Sequence, residues 1–263
     1  MSKSEYENLT FDVKDNVAII GINRPKAMNA LNKGVREDLR SAMDEVETND
    51  DIRTVIITGA GNKAFVAGAD ISEFVGLTPS GIQALSTDIQ TVFDKIEMCK
   101  KPVIAAINGM ALGGGCELLL ACHMRICSDN ALFGLPELGL GVIPGGGGTQ
   151  RLPRIIGKGR ALEVMLAGVN VDAQEAHRIG LVNRVVPGDK LMEECGKIAK
   201  QILKKGPVAV GLTLQAVNQG MLMDQTSGLL LERNLVGLTF SSDDAKEGIN
   251  AFFEKRRPNF KGC

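Results

Sequence analysis

The sequence has 263 residues, of which 44% are hydrophobic and 23% are charged, and its formal net charge is -1 at pH 7. This balance is typical of a globular protein with a sizeable core. A near-neutral charge, one tyrosine and no tryptophan offer little for phosphate contact or base stacking, so we expect no nucleic-acid partner. Residues 1–12 carry acids and no apolar run, and no stretch approaches a membrane span, so we expect a cytoplasmic protein without membrane association.

Three cysteines and a histidine within one segment of the sequence are candidate metal ligands. Cys116, Cys122, His123 and Cys127 lie near one another, but their spacing fits no zinc pattern, and a helix would point them in different directions. We therefore expect no metal, and structural roles for His123 and His177.

The N-terminal part of the chain predicts the order strand, strand, helix, strand. Residues 11–13 and 17–22 predict neighbouring strands joined by a turn, and residues 53–58 predict a buried strand. Residues 33–48 carry apolar positions at helical spacing, which predicts an amphipathic helix.

The segment after the third strand, residues 59–64 (GAGNKA), formally matches the dinucleotide-binding pattern G-x-G-x-x-A. That pattern requires a helix opening at the second glycine and an acid at a later strand end. The chain continues instead as FVAGAD, with no helical period. We interpret the segment as a turn and keep a Rossmann fold as the alternative.

Two glycine-containing loops follow predicted buried strands. Residues 113–115 are three consecutive glycines between an apolar strand at residues 103–107 and an apolar helix at residues 116–122. Such a turn leaves backbone N–H groups unpaired and lets a ligand approach them, although close packing alone is the alternative explanation. Residues 65–74 (FVAGADISEF) form the second loop, in which Asp70 or Ser72 can cap a short helix.

The two loops are predicted to meet. Residues 80–98 predict a crossover helix between the two strands, which places both loops at the carboxyl edge of one parallel sheet. Glu117 and Glu137 each lie just inside the start of a predicted helix among apolar neighbours. A carboxylate in such surroundings is costly unless it is paired, protonated or functional, so we interpret this region as a site.

The C-terminal part of the chain is predicted to be helical. A second glycine cluster at residues 145–148 is followed by a short helix at residues 172–179 and a strand at residues 182–186. From residue 189 the pattern predicts four helices, at residues 190–204, 208–219, 228–240 and 243–255. We predict a core domain at residues 1–188 and a helical region at residues 189–263 that serves as an oligomer interface or a lid.

Five motifs carry a family resemblance: NRPKAMNAL at residues 23–31, AFVAGADISE at 64–73, KPVIAAINGMALGGGCEL at 101–118, PELGLGVIPGGGGTQRL at 136–152 and AFFEKRRPNF at 251–260. Over essentially its whole length the chain resembles the enoyl-CoA hydratase (crotonase) family, and most of all its short-chain bacterial hydratases. The resemblance implies an α/β fold, a crotonase-like spiral of ββα repeats with a C-terminal helical region. It also implies a homo-oligomer, a trimer or a dimer of trimers.

The resemblance further implies a site and a reaction. The substrate would be an acyl-CoA thioester, with coenzyme A as part of the substrate and no separate cofactor. The backbone N–H groups of Ala69 and Gly114 would hold the thioester oxygen, and Glu117 and Glu137 would supply the acid and base for syn hydration of a 2-enoyl-CoA. Which glutamate acts as acid and which as base stays open. By analogy with the family, Glu137 would handle the C2 proton and Glu117 the water. The residues implied to contact substrate or CoA are Lys26, Ala27, Ala67, Asp70, Ile71, Gly145 and, toward a neighbouring subunit, Lys255.

One departure from the family pattern keeps alternatives open. Leu135 stands before Pro136, where many hydratases carry a glutamine that supports the first glutamate. The alternatives are a same-fold enoyl-CoA isomerase, a hydratase of a cyclic enoyl-CoA and, more distantly, a non-catalytic RNA-binding relative.

Overall fold

The computed structural model describes residues 6–263 as an α/β protein with two β-sheets. In chain order the strands are β1 Leu9–Lys14, β2 Val17–Ile22, β3 Thr54–Gly59, β4 Ala64–Val66, β5 Val103–Ile107, β6 Met110–Leu112, β7 Met124–Ser128, β8 Leu132–Gly134, β9 Val171–Asp172 and β10 Arg184–Val186. The α-helices are α1 Lys33–Thr48, α2 Pro79–Glu97, α3 Gly114–Ala121, α4 Gly148–Ile156, α5 Lys158–Leu166, α6 Ala173–Arg178, α7 Leu191–Ile202, α8 Pro207–Gly220, α9 Gln225–Ser241 and α10 Asp243–Phe253.

The two sheets share a repeating connection. The larger sheet has six strands in the order β1-β2-β3-β5-β7-β10, and the smaller has four in the order β4-β6-β8-β9. Three successive strand pairs, β3/β4, β5/β6 and β7/β8, each give one strand to each sheet, and the strands contributed to a sheet pair in parallel. Helices follow each pair, so the predicted spiral of ββα units is confirmed.

Helix α1 shows how local sequence sets this architecture. Its N-cap, Asn32, accepts a hydrogen bond from the backbone N–H of Val35, which satisfies one of the free donors of the first turn. Val35, Leu39 and Met43 are fully buried on one face, as the apolar spacing predicts. The strand at residues 103–107 is likewise buried at every position, as expected for a parallel strand covered on both faces.

The turn after β3 excludes a Rossmann connection. Strand β4 already begins at Ala64, and no helix opens at Gly61. A Cβ on Gly59 would lie 2.3 Å from the carbonyl oxygen of Phe65, so glycine is required by the close return of the chain. The interpretation of this segment as a turn is confirmed.

The helices of the C-terminal part differ in their packing. The four predicted helices are present as α7 to α10. Leu191, Cys195 and Ala199 of α7 bury themselves against Ile56 and Ile104 of the large sheet. Helices α8 to α10 carry large apolar side chains that are exposed in the single chain, among them Phe240, Phe252 and Phe253 at 63%, 79% and 77%. The boundary at residue 189 stays a prediction, although α7 packs directly on the core sheet.

Two helices were not predicted. Helix α4 begins after Gly147, which has φ 108° and makes no side-chain cap, and Pro153 lies inside it. Helix α5 follows after the single residue Gly157. Glycine at the start and proline within a helix are the features that normally argue against one. Among residues 6–263 no helix has both the length and the apolar character needed to cross a membrane.

A buried arginine ties the loop after β4 to the helices around it. The Nε of Arg36 donates to Asp88 and its Nη1 donates to Glu73, both at 2.7 Å, and the residue is 4% exposed. Glu73 lies in the 3-10 helix Ile71–Phe74, at the end of the predicted loop at residues 65–74. We expect Arg36→Met to lower the free energy of unfolding by about 2–3 kcal/mol, since it removes the guanidinium partner of Glu73 and leaves Asp88 paired with Arg40 alone.

Urea denaturation of the Arg36→Met variant would measure this cost. Lys33→Met is the matched control, because the ion pair of Lys33 with Glu37 is long, at 3.6 Å, and exposed. The control should change stability by less than about 0.5 kcal/mol. Equal effects of the two substitutions would contradict the structural role assigned to Arg36.

Candidate active site

The predicted loops meet at a cavity of about 230 Å³. Ala69, Gly113 and Gly114 line it together with both glutamates, Glu117 and Glu137. The rest of the wall is largely apolar and comes from α2, from the 3-10 helix Ile71–Phe74, from the segment after Glu137, and from single residues before α1 and at the end of β6. These apolar residues include Leu31, Ile71, Phe74, Ile82, Leu85, Ile89, Leu112, Leu140, Val142 and Ile143.

The backbone on one side of the cavity presents two free N–H groups. In the parallel bridge between Leu31 and Ala69, the hydrogen bonds use the carbonyl of Gly68 and the N–H of Asp70. The N–H of Ala69 therefore points away from Leu31, and no residue within 6–263 accepts it. Gly114 opens α3, where an N–H has no intrahelical acceptor.

Glycine geometry brings these two amides together. Gly68 has φ 122° and Gly113 has φ 50°, conformations that L side chains rarely adopt. A Cβ on Gly114 would lie 3.4 Å from the nitrogen of Ala69. The predicted pair of amides is thus adjacent, and such a pair can stabilise an oxygen that gains negative charge.

Glu117 is buried and held by the second glycine cluster. It lies in the first turn of α3 and is 3% exposed. Its Oε1 accepts hydrogen bonds from the N–H groups of Gly146 and Gly148, each at 2.8 Å. Burial raises the pKa of this carboxyl above its ordinary value, while the two backbone hydrogen bonds act in the opposite direction. Backbone donors thus orient Glu117. Leu135, the residue before Pro136, is buried at 1% exposure.

Glu137 is less restrained. It is the first residue of the 3-10 helix Glu137–Leu140, and its Oε2 is buried without a hydrogen-bond partner among the described residues. Its Oε1 lies 3.1 Å from the position a Cβ on Gly113 would take, next to the free amides. Burial, followed by repulsion from Glu117, raises the pKa of Glu137 to about 7. A carboxyl that titrates near neutrality can both give and take a proton.

The predicted CoA contacts divide into two groups. Ala67, Ile71 and Gly145 line the cavity. Asp70 does not, because it pairs with Arg24 at 3.2 Å and accepts a hydrogen bond from Ser72 at 2.7 Å.

The remaining predicted contacts also lie off the cavity wall. Lys26 and Ala27 belong to the 3-10 helix Pro25–Ala27, and the carbonyl of the next residue, Met28, accepts the N–H of Ala67 at 3.0 Å. Lys255 follows α10 with φ 52°. The roles of these residues in binding CoA stay predictions.

The histidine and cysteine side chains have structural surroundings. The N–H of Val103 donates to Nδ1 of His123 at 2.9 Å, and Nε2 of His123 lies 2.9 Å from the carbonyl oxygen of Glu97. Both ring nitrogens therefore have backbone hydrogen-bond partners. Burial raises the pKa of the Cys122 and Cys127 thiols to about 12. Within residues 6–263, no three His, Cys, Asp or Glu side chains group closely enough to hold a metal ion.

Some site residues were not anticipated from the sequence. Helix α2 supplies Ile82, Leu85 and Ile89 to the cavity wall, and Ser86 beside them. The signal was present, because these apolar residues recur at helical spacing on one face of the predicted crossover helix. The pattern does not tell whether such a face meets a core or a cavity.

Comparison with known proteins gives a consistent result. A protein-family model described as Enoyl-CoA hydratase/isomerase matches residues 12–263. The chain is 48% identical over 255 residues to Crotonyl-CoA hydratase of Syntrophomonas wolfei, covering 97% of this chain and 98% of the relative. It is 46% identical over 253 residues to Short-chain-enoyl-CoA hydratase of Clostridium acetobutylicum, covering 96% and 97%. The crystal structure of an enoyl-CoA hydratase from Bacillus anthracis is similar with a TM-score of 0.94 and 42% identity, over 98% of this chain and 100% of that chain.

Proposed function

The chain belongs to the enoyl-CoA hydratase/isomerase family, and from this premise we propose that it hydrates short-chain 2-enoyl-CoA thioesters with Glu117 and Glu137 as its acid–base pair. The hydro-lyase activity follows from the family and from the relatives named as crotonyl-CoA and short-chain-enoyl-CoA hydratases. The assignment of the two glutamates rests on one observation above the others. Both carboxyl groups line the same small cavity as the two adjacent backbone N–H groups of Ala69 and Gly114, which have no acceptor among the described residues.

The proposed reaction places each group at one atom of the substrate. The amides of Ala69 and Gly114 hold the thioester oxygen, which becomes negative as water adds to C3 of the enoyl group. Glu117 takes a proton from the attacking water, and Glu137 gives a proton to C2, so that water is added across the double bond. The pKa of Glu137, raised to about 7, supports its role as the proton donor. Proton exchange with solvent then restores the starting state of both carboxyls.

The cavity also supports a short acyl chain. Its volume of about 230 Å³ is small, and its wall beyond the glutamates is made of aliphatic side chains and Phe74. Leu140 and Ile143 are 60% and 72% exposed at its rim, which leaves room for the pantetheine arm of CoA to enter. We propose that Lys26, Ala27 and Asp70 contact CoA outside the cavity and that no separate cofactor is needed.

Purified protein should remove the absorbance of the enoyl thioester of crotonyl-CoA, and the product should be 3-hydroxybutyryl-CoA. A series of enoyl-CoAs of increasing chain length, and one cyclic enoyl-CoA, would define the acyl range. Conversion of a 3-enoyl-CoA to its 2-enoyl isomer without hydration would favour an isomerase. No turnover of any of these thioesters would overturn the proposal.

The raised pKa of Glu137 also has a consequence for stability. In the folded protein the pKa of Glu137 is about 7, whereas in an unfolded chain a glutamate titrates near about 4.3. Between these values the folded state binds more protons, so this group's contribution to stability falls as pH rises. We expect the free energy of unfolding of the wild type to fall, relative to Glu137→Gln, by about 1–2 kcal/mol between about pH 4.5 and 7.5. This value is smaller than the full pKa difference would give, because solvent screens a half-buried carboxyl.

Urea denaturation of both proteins at several pH values would measure this difference. Taking the difference between the two proteins removes the titration of every other group that the substitution leaves unchanged. The free energy of unfolding of the wild type minus that of Glu137→Gln should fall as pH rises. If this quantity stayed constant or rose with pH, the surroundings assigned to Glu137 would be wrong.

We propose that the active form is a cytoplasmic homo-oligomer of fatty acid metabolism. Phe240, Phe252 and Phe253 are exposed and line one apolar groove between α9 and α10, which supports this assembly, since an exposed apolar patch marks an interaction site. A trimer or a dimer of trimers would also let Lys255 of one subunit approach the CoA phosphates on the next. Light scattering after size-exclusion chromatography would give the number of subunits, and a monomer at micromolar concentration would contradict the proposal.

A further inference from the structure

Helix α2 carries a row of polar side chains that faces the glycine loop at residues 145–148. Ser86, Gln90, Asp94 and Glu97 are separated by three or four residues, so they lie on one face of the helix. All four make hydrogen bonds that reach this loop, directly or through Arg151. These four side chains have no direct part in the proposed chemistry. Their hydrogen bonds to the loop at residues 145–148 indicate a structural role there.

The first pair holds the carbonyl group of Gly145. Ser86 Oγ donates to this oxygen at 2.6 Å, and Gln90 Nε2 donates to it at 2.8 Å. The same peptide unit carries the N–H of Gly146, which donates to Glu117 Oε1 at 2.8 Å. Because a trans peptide is planar with its C=O and N–H pointing in opposite directions, fixing the oxygen fixes the direction of the N–H.

The second pair acts through Arg151. Its Nη2 donates to Asp94 at 2.5 Å, and its Nε and Nη2 donate to Glu97 Oε2 at 2.9 and 2.7 Å. Its Nη1 donates to the carbonyl of Gly146 at 3.0 Å, and its side chain is 11% exposed. The next peptide unit of the loop is therefore also held from its oxygen.

Glycine at position 147 makes room for this arginine. Gly147 has φ 108°, and a Cβ there would lie 2.2 Å from Arg151 Nη1. The loop is thus built from residues without side chains, so that it cannot restrain itself by side-chain packing. Its restraint comes from outside, through hydrogen bonds to two consecutive carbonyl groups.

The helix that supplies the restraint is itself anchored at its end. The carbonyl of Glu97 accepts hydrogen bonds from Asn218 of α8 at 2.6 Å and from the His123 ring at 2.9 Å. His123 in turn accepts from the N–H of Val103, at the start of β5. The backbone of Glu97 is therefore fixed relative to the central sheet, and its carboxylate accepts hydrogen bonds from Arg151.

We propose that Ser86, Gln90 and Arg151 are positioning residues for Glu117. Ser86 and Gln90 hold the carbonyl group of Gly145 and thereby direct the N–H of Gly146 at Glu117. Arg151 holds the carbonyl group of Gly146, which belongs to the peptide unit between the two N–H groups that donate to Glu117. The inference rests on the proposed role of Glu117 in hydration. None of the three residues contacts the reacting atoms in this account, and each acts through the loop backbone.

The expected effect is a loss of turnover at unchanged binding. We expect the double variant Ser86→Ala/Gln90→Leu, which removes both donors to Gly145, to lower kcat for crotonyl-CoA by about 10- to 100-fold. KM should stay within about twofold of the wild-type value, because the apolar wall and the oxyanion amides are unchanged and the cavity lining loses only the hydroxyl of Ser86. The decrease in log kcat should be less than half as large in each single variant as in the double variant, since the remaining donor still holds the oxygen.

Two substitutions of Arg151 separate the effect of its hydrogen bonds from the effect of its positive charge. Arg151→Lys keeps the positive charge but cannot reproduce the fork of hydrogen bonds, so we expect a similar loss of kcat. Arg151→Met also removes the charge that lowers the pKa of Glu117, so the acidic limb of its kcat profile should move to higher pH. Arg154→Met on the same helix and Thr87→Ala on α2 are the controls, because both side chains are exposed and bond only within their own helices.

Hydrogen exchange provides a readout that does not depend on activity. The amides of Gly146 and Gly148 should exchange faster in the Ser86→Ala/Gln90→Leu and Arg151→Lys variants than in the wild type and in both controls. Unchanged kcat with unchanged exchange would overturn the inference, and so would a loss of kcat without faster exchange at these two amides. An inactive wild type would refute the proposed function, while the exchange measurements would still test whether α2 and Arg151 hold the loop.

Discussion

Glu137→Gln is expected to lower kcat for the hydration of crotonyl-CoA by about 10³-fold, the range attributed to a single general acid. Glutamine has nearly the shape of a protonated glutamate, but its amide cannot give a proton to C2. The fold should tolerate the change, because Glu137 Oε2 has no hydrogen-bond partner among the described residues to lose. KM for crotonyl-CoA should stay close to the wild-type value, since the cavity wall is unchanged.

Glu163→Gln is the matched control for this substitution. Glu163 lies exposed on α5 and does not line the cavity, so its variant should keep the wild-type rate. Steady-state kinetics of the three proteins, together with their urea midpoints, would separate lost chemistry from lost folding. A Glu137→Gln variant with more than about a tenth of the wild-type kcat would show that another group supplies the proton.

Gly115→Ala is expected to have the largest effect on stability. A Cβ at this position would lie 1.9 Å from the carbonyl oxygen of Val66 in β4, and that oxygen belongs to backbone that cannot rotate away. Overpacking a core usually costs about 1–3 kcal/mol and occasionally more. Because the clash is with backbone at the junction of α3 and the small sheet, we expect the cost to exceed about 3 kcal/mol.

Gly196→Ala tests the same substitution where space is free. Gly196 lies inside α7, and a Cβ there would meet nothing within 4 Å. Alanine should stabilise this helix by about 0.5–1 kcal/mol, because glycine is a poor helix former. Urea denaturation of both variants gives the comparison, and a Gly115→Ala protein as stable as the wild type would contradict the close approach of α3 to β4.

The elements predicted well from the sequence are those whose apolar pattern is long and regular. The helix at residues 33–48 and the strand at residues 103–107 were predicted with their observed ends. The four strands of the small sheet have only two or three residues, too few to show a period, and none of them was predicted. Helix α4 was missed because Gly147 and Pro153 are residues that normally end a helix.

The candidate site was predicted in part. Family motifs pointed to Ala69, Gly114, Glu117 and Glu137, and all four line one cavity. The hydrogen bonds that hold the glycine loop were not foreseen, because Arg151 and Glu97 are 54 positions apart and only the packing of α2 and α4 on the same helix, α3, brings them together. No periodicity within either helix carries that information.

The division of each ββα unit between two sheets has a consequence for recovery after denaturation. Ala69 follows β4 and Gly114 follows β6, and these strands are neighbours in the small sheet. The pair of amides therefore does not exist until β4 and β6 are side by side, even when the large sheet has already formed. Regained turnover in a renaturation time course thus requires β4 and β6 to be paired, whereas far-ultraviolet dichroism reports the recovery of the helices.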